Sequence, residues 1–386
     1  MSGLSFEIVS TTKPFNALLP DWSRLCSLTA QPRLMQSPAW LGPWWEVFGD
    51  KSRELRVIAV RESSRLVGVA PFLARTHRYR PGIPFRRLEL LGSGENEADE
   101  IASDYLGITS EAGKEKPVAE KVVEALYSKE MPTWDELVCE RMTAVSTATS
   151  EFVWALGQKK SSFSIQPDGK TFYIPLPSSW EEYLASLSSS RRYRVKRALK
   201  DYTKWAGQEP ELKRVENVSE ITPALDTLAE LHKERWQENG HEGVFASEKF
   251  NGFHQRIVKK LFDAGSLELV WLEVEGKPVV SLYSIIEDES VYFYQSGRKT
   301  DVPKRVLLGT VAHALAIKDA IERGNREYDF LAGEARYKQE LALASRELIS
   351  IRAIRSMGLR EGTRRIGRGA IRGIRSLGTS LRRTKT

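Results

Sequence analysis

Three apolar runs in close succession, between residues 267 and 296, constrain the fold of this chain more than any other feature. They are Leu267–Val274, Val279–Glu287 and Val291–Ser296, joined by Glu275-Gly276-Lys277-Pro278 and by Asp288-Glu289. Apolar runs rich in β-branched and aromatic residues, with short polar connections, are typical of antiparallel hairpins. The segment is therefore predicted to form a three-stranded meander.

A helix and a further strand are predicted after the meander. An apolar periodicity runs from about Leu308 to Arg323, and Gly324 ends it as a helix C-terminus. The short apolar segment Tyr328–Leu331 predicts a buried strand. The order of meander, helix and strand is typical of half of an acyltransferase site, in which the third strand and the helix start together hold a phosphate-bearing donor.

The rest of the chain predicts an α/β protein with mixed sheets, built from two similar units. With 386 residues the chain is too long for one ordinary core. Pro175–Ser179 is the best linker, and Ser179 with Glu182 forms a capping box for the next helix. The second unit repeats the order strand, two helices, meander, helix and strand. We therefore expect domains at residues 1–175 and 176–355.

Charge divides the chain into a body and a tail. Residues 352–386 carry eleven basic side chains and one acid, a net charge of +10. Because the whole chain carries +7, the rest carries −3. The body is therefore slightly acidic, which argues against a protein built as a whole to bind nucleic acid.

The basic tail, residues 356–386, has an amphipathic pattern. At about 100° per residue, the arginines of residues 364–383 fall within about 100°. Five apolar side chains lie opposite within a sector of about 80°: Ile366, Ala370, Ile374, Leu377 and Leu381. The four glycines within residues 364–383 disfavour an isolated helix in water. We expect this tail to fold on an anionic membrane surface, with RNA, an acidic polysaccharide or plain disorder as the alternatives.

Targeting and redox features are sparse. The sequence contains no uncharged run of eighteen or more apolar residues, so no transmembrane helix is expected. The N-terminus has no basic region followed by an apolar core, so no secretory signal peptide is expected. Cys26 and Cys139 both lie in apolar runs and are interpreted as buried thiols. We therefore expect a cytoplasmic protein, peripheral on the inner face of the membrane if the tail binds there.

Several local patterns, in order along the chain, resemble one known group of proteins. They are Ser103-Asp104-Tyr105-Leu106, Ser189–Arg192 opening a basic helix, Leu231-His232 with Arg235-Trp236, Gly243-Val244-Phe245, Phe250–His254, Tyr294–Gly297, Gly309, and Gly324 with Glu327–Leu331, Gly333 and Tyr337-Lys338. Their order and spacing resemble the BioF2-like or CelD-like branch of the GNAT acetyltransferases. That branch is similar to the Fem-type aminoacyl transferases of peptidoglycan bridge synthesis. The resemblance covers roughly residues 5–355.

The resemblance implies two tandem GNAT-like domains and an acyltransferase. The implied donor is acetyl-CoA, and the implied acceptor is an amine or hydroxyl on a sugar, cell-envelope or polysaccharide precursor. Two alternatives stay open: an aminoacyl-tRNA-dependent Fem-like transferase, for which RNA would be a partner, and a non-catalytic GNAT-fold scaffold of a polysaccharide-making complex.

The donor is expected at the start of the helix after the meander. A GNAT phosphate site is a loop whose backbone N–H groups face a pyrophosphate at a helix N-terminus. Only one glycine stands in the corresponding stretch, which leaves coenzyme A and an aminoacyl carrier both open as donors. The residues predicted to bind the donor are Gln295, Ser296, Gly297, Lys304, Arg305, Gly309 and Thr310.

Acyl transfer also needs a base, an acid and stabilisation of an oxyanion. Asp104, Asp329 and His232 are the predicted bases. Asp329 stands in an apolar strand, where desolvation should raise its pKa; pairing with an arginine is the structural alternative. Arg235 lies three residues after His232, on the same helix face.

The resemblance supplies the remaining roles. It implies that Tyr337 is the acid for the leaving thiolate, and Lys338 is expected to bind the acceptor or the donor phosphate. The basic helix from Ser190 to Trp205 either faces an RNA-linked donor or is simply solvated. No Cys/His cluster has metal-ligand spacing, so we expect no metal site.

Overall fold

A computed structural model describes residues 3–31, 33–79, 82–159, 162–238 and 240–355. We call residues 3–175 the N-terminal half and residues 176–355 the C-terminal half, after the predicted boundary. The tail at 356–386, with its predicted membrane helix, lies outside the described residues. None of the described helices combines the length and apolar character needed to cross a membrane.

The N-terminal half contains both strands and helices, with six successive strands between α2 and α3. Its elements are β1 (Leu4–Val9), α1 (Thr12–Cys26), α2 (Pro38–Phe48), β2 (Arg53–Leu55), β3 (Val57–Glu62), β4 (Arg65–Ala70), β5 (Phe72–Tyr79), β6 (Ile83–Leu90), β7 (Thr109–Ser110), α3 (Glu115–Tyr127), β8 (Glu136–Thr143), α4 (Thr147–Gly157) and β9 (Ser162–Pro175). Cys139 is buried in this half, and Cys26 is half-buried.

The C-terminal half contains the predicted meander, helix and strand. Its elements are α5 (Trp180–Ser186), α6 (Ser189–Ala206), β10 (Lys213–Arg214), α7 (Ile221–Gln237), α8 (Glu248–Asp263), β11 (Leu267–Val274), β12 (Lys277–Glu287), β13 (Ser290–Arg298), α9 (Leu308–Glu322), β14 (Glu327–Ala332), α10 (Arg336–Leu341) and β15 (Ala344–Ile354). Ser179 accepts a hydrogen bond from Glu182 N, so Ser179 caps α5 as predicted. The Glu182 carboxylate accepts from Ser178 N instead of Ser179 N, so the predicted capping box is not complete.

The meander closes through two-residue turns. Val274 pairs with Lys277, and Glu287 pairs with Ser290. The central residues of both turns have positive φ, 52° and 70° in the first and 48° and 58° in the second. This geometry is the one that matches the twist of antiparallel strands. The first turn is thus shorter than the four residues predicted, because Lys277 and Pro278 belong to β12.

The two halves exchange strands within one sheet. Among the described residues, eleven strands follow the order β10-β11-β12-β13-β14-β9-β15-β8-β6-β5-β2. From the N-terminal half, β9 pairs with β14, while β15 from the C-terminal half lies between β9 and β8. Residues 344–354 therefore join strands of the N-terminal half and do not end a separate second sheet. The boundary at residue 175 stays a prediction.

A buried tyrosine joins the halves beside these exchanged strands. The Tyr105 hydroxyl donates to Asp329 Oδ2 at 2.5 Å, and the Thr171 hydroxyl lies 2.6 Å from the same Tyr105 oxygen. Arg346 Nη1, on β15, donates to the same carboxylate oxygen at 3.1 Å. Tyr105 is 2% exposed, and Asp329 is fully buried. A polar group left unpaired at this depth costs about 1–3 kcal/mol.

We predict that Tyr105→Phe lowers the free energy of unfolding by about 1–3 kcal/mol, because it leaves Asp329 without its hydroxyl donor. Tyr283→Phe is the matched control: Tyr283 is also buried, and its hydroxyl has no hydrogen-bond partner within the described ranges. That change should cost nothing measurable or should stabilise. Chemical denaturation of both variants checks the prediction. Equal losses of unfolding free energy in the two variants would show that the Tyr105–Asp329 hydrogen bond does not stabilise the fold.

Candidate functional site

Two neighbouring parallel strands separate at the centre of the C-terminal half. β13 and β14 pair at only three positions, ending with Tyr292 opposite Asp329. β13 then continues to Arg298 and β14 to Ala332. Backbone groups beyond the last pair need other partners, because an unsatisfied buried amide is costly. The divergence therefore creates an opening that side chains or a ligand must fill.

A cavity of about 420 Å³ lies at the end of β13 and the start of α9. Five of the seven predicted donor residues line it: Ser296, Gly297, Lys304, Gly309 and Thr310. Gln295 and Arg305 are not among its lining residues, and Arg305 is exposed on the adjacent loop. Most of the predicted donor residues thus lie at one cavity, and their role in donor binding stays a prediction.

The start of α9 gives this cavity its electrostatic character. The helix begins at Leu308, as predicted, and runs for 15 residues. Its first backbone N–H groups have no acceptor within the helix, and the helix dipole makes this end positive. Lys304 adds a cationic side chain at the same end. A phosphate-bearing group would therefore find hydrogen-bond donors and positive charge together.

Arg235 and Tyr337 also line the cavity. Arg235 Nη1 donates to Ser296 Oγ at 3.1 Å. The Tyr337 ring stacks on His313, with ring centroids 4.9 Å apart and planes at 15°. Burial raises the pKa of Tyr337. The phenol therefore stays protonated at neutral pH and can act as a proton donor.

His313 is a cavity residue that sequence reasoning missed. Its Nδ1 lies 3.2 Å from the Tyr328 hydroxyl, and it is buried under Tyr337. Burial lowers its pKa to about 3, so the imidazole is neutral. The available signal was spacing: His313 follows Gly309 by four residues and so shares its helix face.

His232 lies behind the cavity rather than in it. It is buried among aromatic rings, with the Phe245 ring 4.9 Å away. Burial, followed by the nearby Arg235 charge, lowers its pKa to about 4. Its Nδ1 has no hydrogen-bond partner among the described residues. Of the predicted pair on this helix face, the structure thus brings only Arg235 to the cavity.

The two predicted aspartates meet at the interface of the halves. Asp104 Oδ2 accepts from Ala332 N at 2.7 Å, and Asp329 Oδ1 accepts from Leu331 N at 2.7 Å. Both carboxylates thus hold backbone N–H groups at the end of β14. Neither aspartate lines the donor cavity, and their catalytic role stays a prediction.

Burial shifts the pKa values of this interface cluster. It raises the pKa of Asp329 to about 6, although the Tyr105 hydrogen bond opposes the shift. It also raises the pKa of Asp104, which Arg141 opposes from 3.4 Å. Lys338, which donates to the Ala332 carbonyl, has its pKa lowered to about 8 by burial. A cation between two such carboxylates remains the favoured state at neutral pH.

Arg33 is a further interface residue that the sequence did not single out. Its Nη1 donates to the Tyr292 hydroxyl at 2.6 Å, and its guanidinium lies 4.7 Å from the Tyr105 ring centroid. It therefore packs against the last paired residue of β13. As for metals, the described part of the chain has no group of three or more His, Cys, Asp or Glu side chains able to hold an ion.

Substitution by alanine should have different effects on stability at two glycines that line the cavity. At Gly297 an added Cβ would lie 2.3 Å from His232 N and 2.7 Å from Leu228 O, so α7 would have to move. At Gly309 an added Cβ meets nothing within 4 Å. We predict that Gly297→Ala lowers the free energy of unfolding by about 1–3 kcal/mol. Gly309→Ala should leave stability unchanged or raise it slightly.

Denaturant titration of the two variants, side by side, measures this difference. Circular dichroism confirms that each variant folds. If Gly297→Ala matched Gly309→Ala in stability, α7 would not pack on β13 as closely as the structure has it.

Comparisons with known proteins give one family match and several structural matches. The family model described as an acetyltransferase (GNAT) domain matches residues 189–339. No curated protein matches the chain significantly in sequence. The crystal structure of FemX is similar with a TM-score of 0.60 and 13% identity, covering 89% of this chain and 96% of that one. A conserved protein of unknown function from Bacteroides thetaiotaomicron VPI-5482 gives 0.51 and 12%, covering 91% and 100%.

The structural matches establish the fold, and the family match covers the segment that holds the cavity. The match to FemX spans both halves, so the expected tandem GNAT-like fold is confirmed. Residues 189–339 match the family model of an acetyltransferase (GNAT) domain, and the fold of the chain is similar to that of FemX.

Proposed function

We propose that the protein transfers an acetyl group from acetyl-CoA to an amine or hydroxyl of a sugar or other cell-envelope or polysaccharide precursor. The observation that carries this proposal is the cavity of about 420 Å³ at the start of α9. It joins the helix N-terminus, Lys304 and Tyr337 in one place. A thioester donor with a diphosphate needs these three parts: anion binding, a polar reaction centre and a proton donor.

The two ends of the cavity serve different parts of the donor. The amides of Leu308, Gly309 and Thr310, together with Lys304, hold the diphosphate. The thioester then lies toward Arg235 and Ser296, whose guanidinium and hydroxyl meet at 3.1 Å. There they stabilise the negative charge that develops on the carbonyl oxygen.

Direct transfer in a ternary complex follows from this arrangement. The acceptor lone pair attacks the thioester carbonyl carbon, and the carbon–sulfur bond breaks. Tyr337 Oη gives its proton to the leaving thiolate and regains one as the acceptor is deprotonated. His313 keeps the Tyr337 ring in place through their stacking. The hydrogen bonds of Asp104 and Asp329 fix the backbone at the end of β14 in the resting protein.

A second candidate function is favoured by one observation. The exposed face of α6 carries four basic side chains and an aromatic ring that is 64% exposed. These residues are Lys196, Arg197, Lys200, Lys204 and Tyr193. Basic faces with exposed aromatics bind nucleic acid, so an aminoacyl-tRNA donor fits this surface. RNA that co-purifies at low salt and is lost at high salt, without affinity for acetyl-CoA, would favour this candidate.

We predict that the double variant Lys304→Ala/Arg305→Ala binds acetyl-CoA about tenfold more weakly than the unchanged protein, since it removes two cations near the diphosphate. Lys13→Ala/Arg24→Ala, which removes two exposed cations from α1, is the charge-matched control and should bind normally. Isothermal titration calorimetry measures both. Absence of acetyl-CoA binding, or equal loss in both variants, contradicts the donor site.

Tyr337→Phe tests the proton donor separately. The phenylalanine ring keeps the stacking on His313, so acetyl-CoA affinity should be unchanged. We predict that kcat falls by about 100-fold, the usual size of a general-acid contribution. Thiol release from acetyl-CoA with a panel of amino sugars and sugar nucleotides is the readout, and Tyr193→Phe on the α6 surface is the control. An unchanged kcat would remove Tyr337 from the mechanism.

A further inference from the structure

A cavity of about 80 Å³, which we call the small cavity, lies within the N-terminal half. Its wall comes from the end of α1 and the segment after it, β7, the first residue of α3, the end of β8 and the start of α4. Of the described residues, none lines both this cavity and the donor cavity. The small cavity therefore belongs to a part of the protein that the proposed transfer does not use.

The small cavity and the donor cavity occupy corresponding places in the two halves. The donor cavity is lined from β13, the start of α9 and α10, and the small cavity from β7, the start of α3 and the start of α4. In each half one strand, β14 or β8, stands between the two helices in sequence. β7 belongs to a four-stranded sheet and β8 to the eleven-stranded one, so these two strands are separated, as β13 and β14 are after their third pair.

The small cavity does not suit a phosphate-bearing donor. Its volume is about 80 Å³, against about 420 Å³ for the donor cavity. Glu115 stands in the first turn of α3, whereas α9, which the structure describes in full, has no acid in its first turn. A carboxylate at a helix N-terminus takes the favourable place of a bound anion and repels a phosphate. A smaller ligand of different charge is therefore expected here.

Arg33 brings a positive charge to the wall of the small cavity. Its Nη1 donates to the Tyr292 hydroxyl at 2.6 Å, and its Nε has no hydrogen-bond partner in the ranges that the structure describes. Glu287 and Asp329 act on Arg33 electrostatically, but no described carboxylate lies within ion-pair distance of it. Asp329 pairs with Arg346 at 3.1 Å, and burial raises the pKa of Glu287 to about 7, so that carboxyl is partly protonated at neutral pH. Arg33 thus keeps a charge that a ligand carboxylate can compensate.

Glu115 brings a negative charge to the same wall. It forms no ion pair with any residue that the structure describes. The cations next to it in sequence are engaged elsewhere: Lys114 Nζ pairs with Glu62 at 2.6 Å, and Lys116 Nζ lies 5.1 Å from the centroid of the Trp154 ring. The small cavity thus carries one cation and one anion that are not paired with each other. A ligand that carries both charges can compensate both groups.

Thr143 adds a buried hydroxyl without a partner. It lines the small cavity and is 3% exposed, and its Oγ1 makes no hydrogen bond to the described part of the chain. By contrast Thr109, on the same wall, accepts from Trp22 Nε1 at 3.3 Å. Ser146, which precedes α4, makes no capping hydrogen bond with its side chain, so the first amides of this helix stay available to a carboxylate. Because a buried hydroxyl without a partner is costly, a polar ligand here would stabilise the protein.

From these observations we infer that the small cavity binds a small free amino acid in its zwitterionic form. Arg33 and the start of α4 bind the carboxylate, Glu115 binds the ammonium group, and Thr143 supplies a further hydrogen bond. Drug-sized ligands occupy cavities of roughly 300–1,000 Å³. A volume of about 80 Å³ therefore leaves room for a molecule such as glycine, alanine or serine. The inference goes beyond the proposed function and does not depend on it.

The test uses the full chain with glycine, L-alanine and L-serine, and with acetate, methylammonium and inorganic phosphate as probes that carry only one kind of charge. We predict that at least one amino acid binds about tenfold more tightly than each single-charge probe, because only the zwitterion pairs with both Arg33 and Glu115. Equilibrium dialysis with radiolabelled probes is the measurement. Absence of amino-acid binding contradicts the inference, and so does a single-charge probe that binds as tightly as the best amino acid.

Two variants test the wall of the small cavity. Glu115→Gln should weaken binding of the best amino acid about tenfold, and Thr143→Val, which keeps the shape of the side chain, about threefold. Glu120→Gln removes the same charge from an exposed position of α3 outside the cavity and is the matched control, and circular dichroism confirms that each variant folds. If Glu115→Gln or Thr143→Val binds the amino acid as tightly as Glu120→Gln does, the inference is wrong. Binding that depends on Glu115 and Thr143 supports the inference even in a protein that binds no acetyl-CoA.

Discussion

The early end of pairing between β13 and β14 is the constraint on which the site depends. After Tyr292 and Asp329 the strands separate, and their backbone groups must find other partners. Side-chain carboxylates supply them: Asp329 binds Leu331 N, and Asp104, from the other half, binds Ala332 N. Leu331 has a φ of 56°, unusual for a branched residue, which these bonds help to maintain. Both halves therefore contribute a carboxylate that fixes the backbone at the end of β14, where the strands separate.

Local patterns in the sequence predicted the elements around the donor cavity. The apolar periodicity and Gly324 located α9, and the polar connections located the meander, because these signals act over a few residues. The positions of β9 and β15 could not be predicted in the same way. Their partners lie far away in sequence, and the local pattern of a segment such as residues 344–354 does not indicate which strands it will pair with.

The site was predictable in part for the same reason. The spacing along β13, the following loop and α9 brought Ser296, Lys304 and Gly309 to one cavity. Helical spacing put Arg235 and His232 on one face, but it could not show that the rings of Trp236 and Phe245 pack against the histidine. Asp329 was expected to be desolvated, and its pKa is raised; its tyrosine partner from 224 residues earlier was not readable from local sequence.

Strand exchange has a consequence for how this chain reaches its native state during synthesis. The inner edge of β8 is complete once Thr143 is made, but the strand that covers it ends about 200 residues later, at Ile354. Until then β8 exposes unpaired amides and carbonyls, which can join another chain. A nascent chain that ends before residue 344 would thus expose a strand edge that can pair with other chains. Protection by chaperones should therefore matter most between the synthesis of β8 and that of β15.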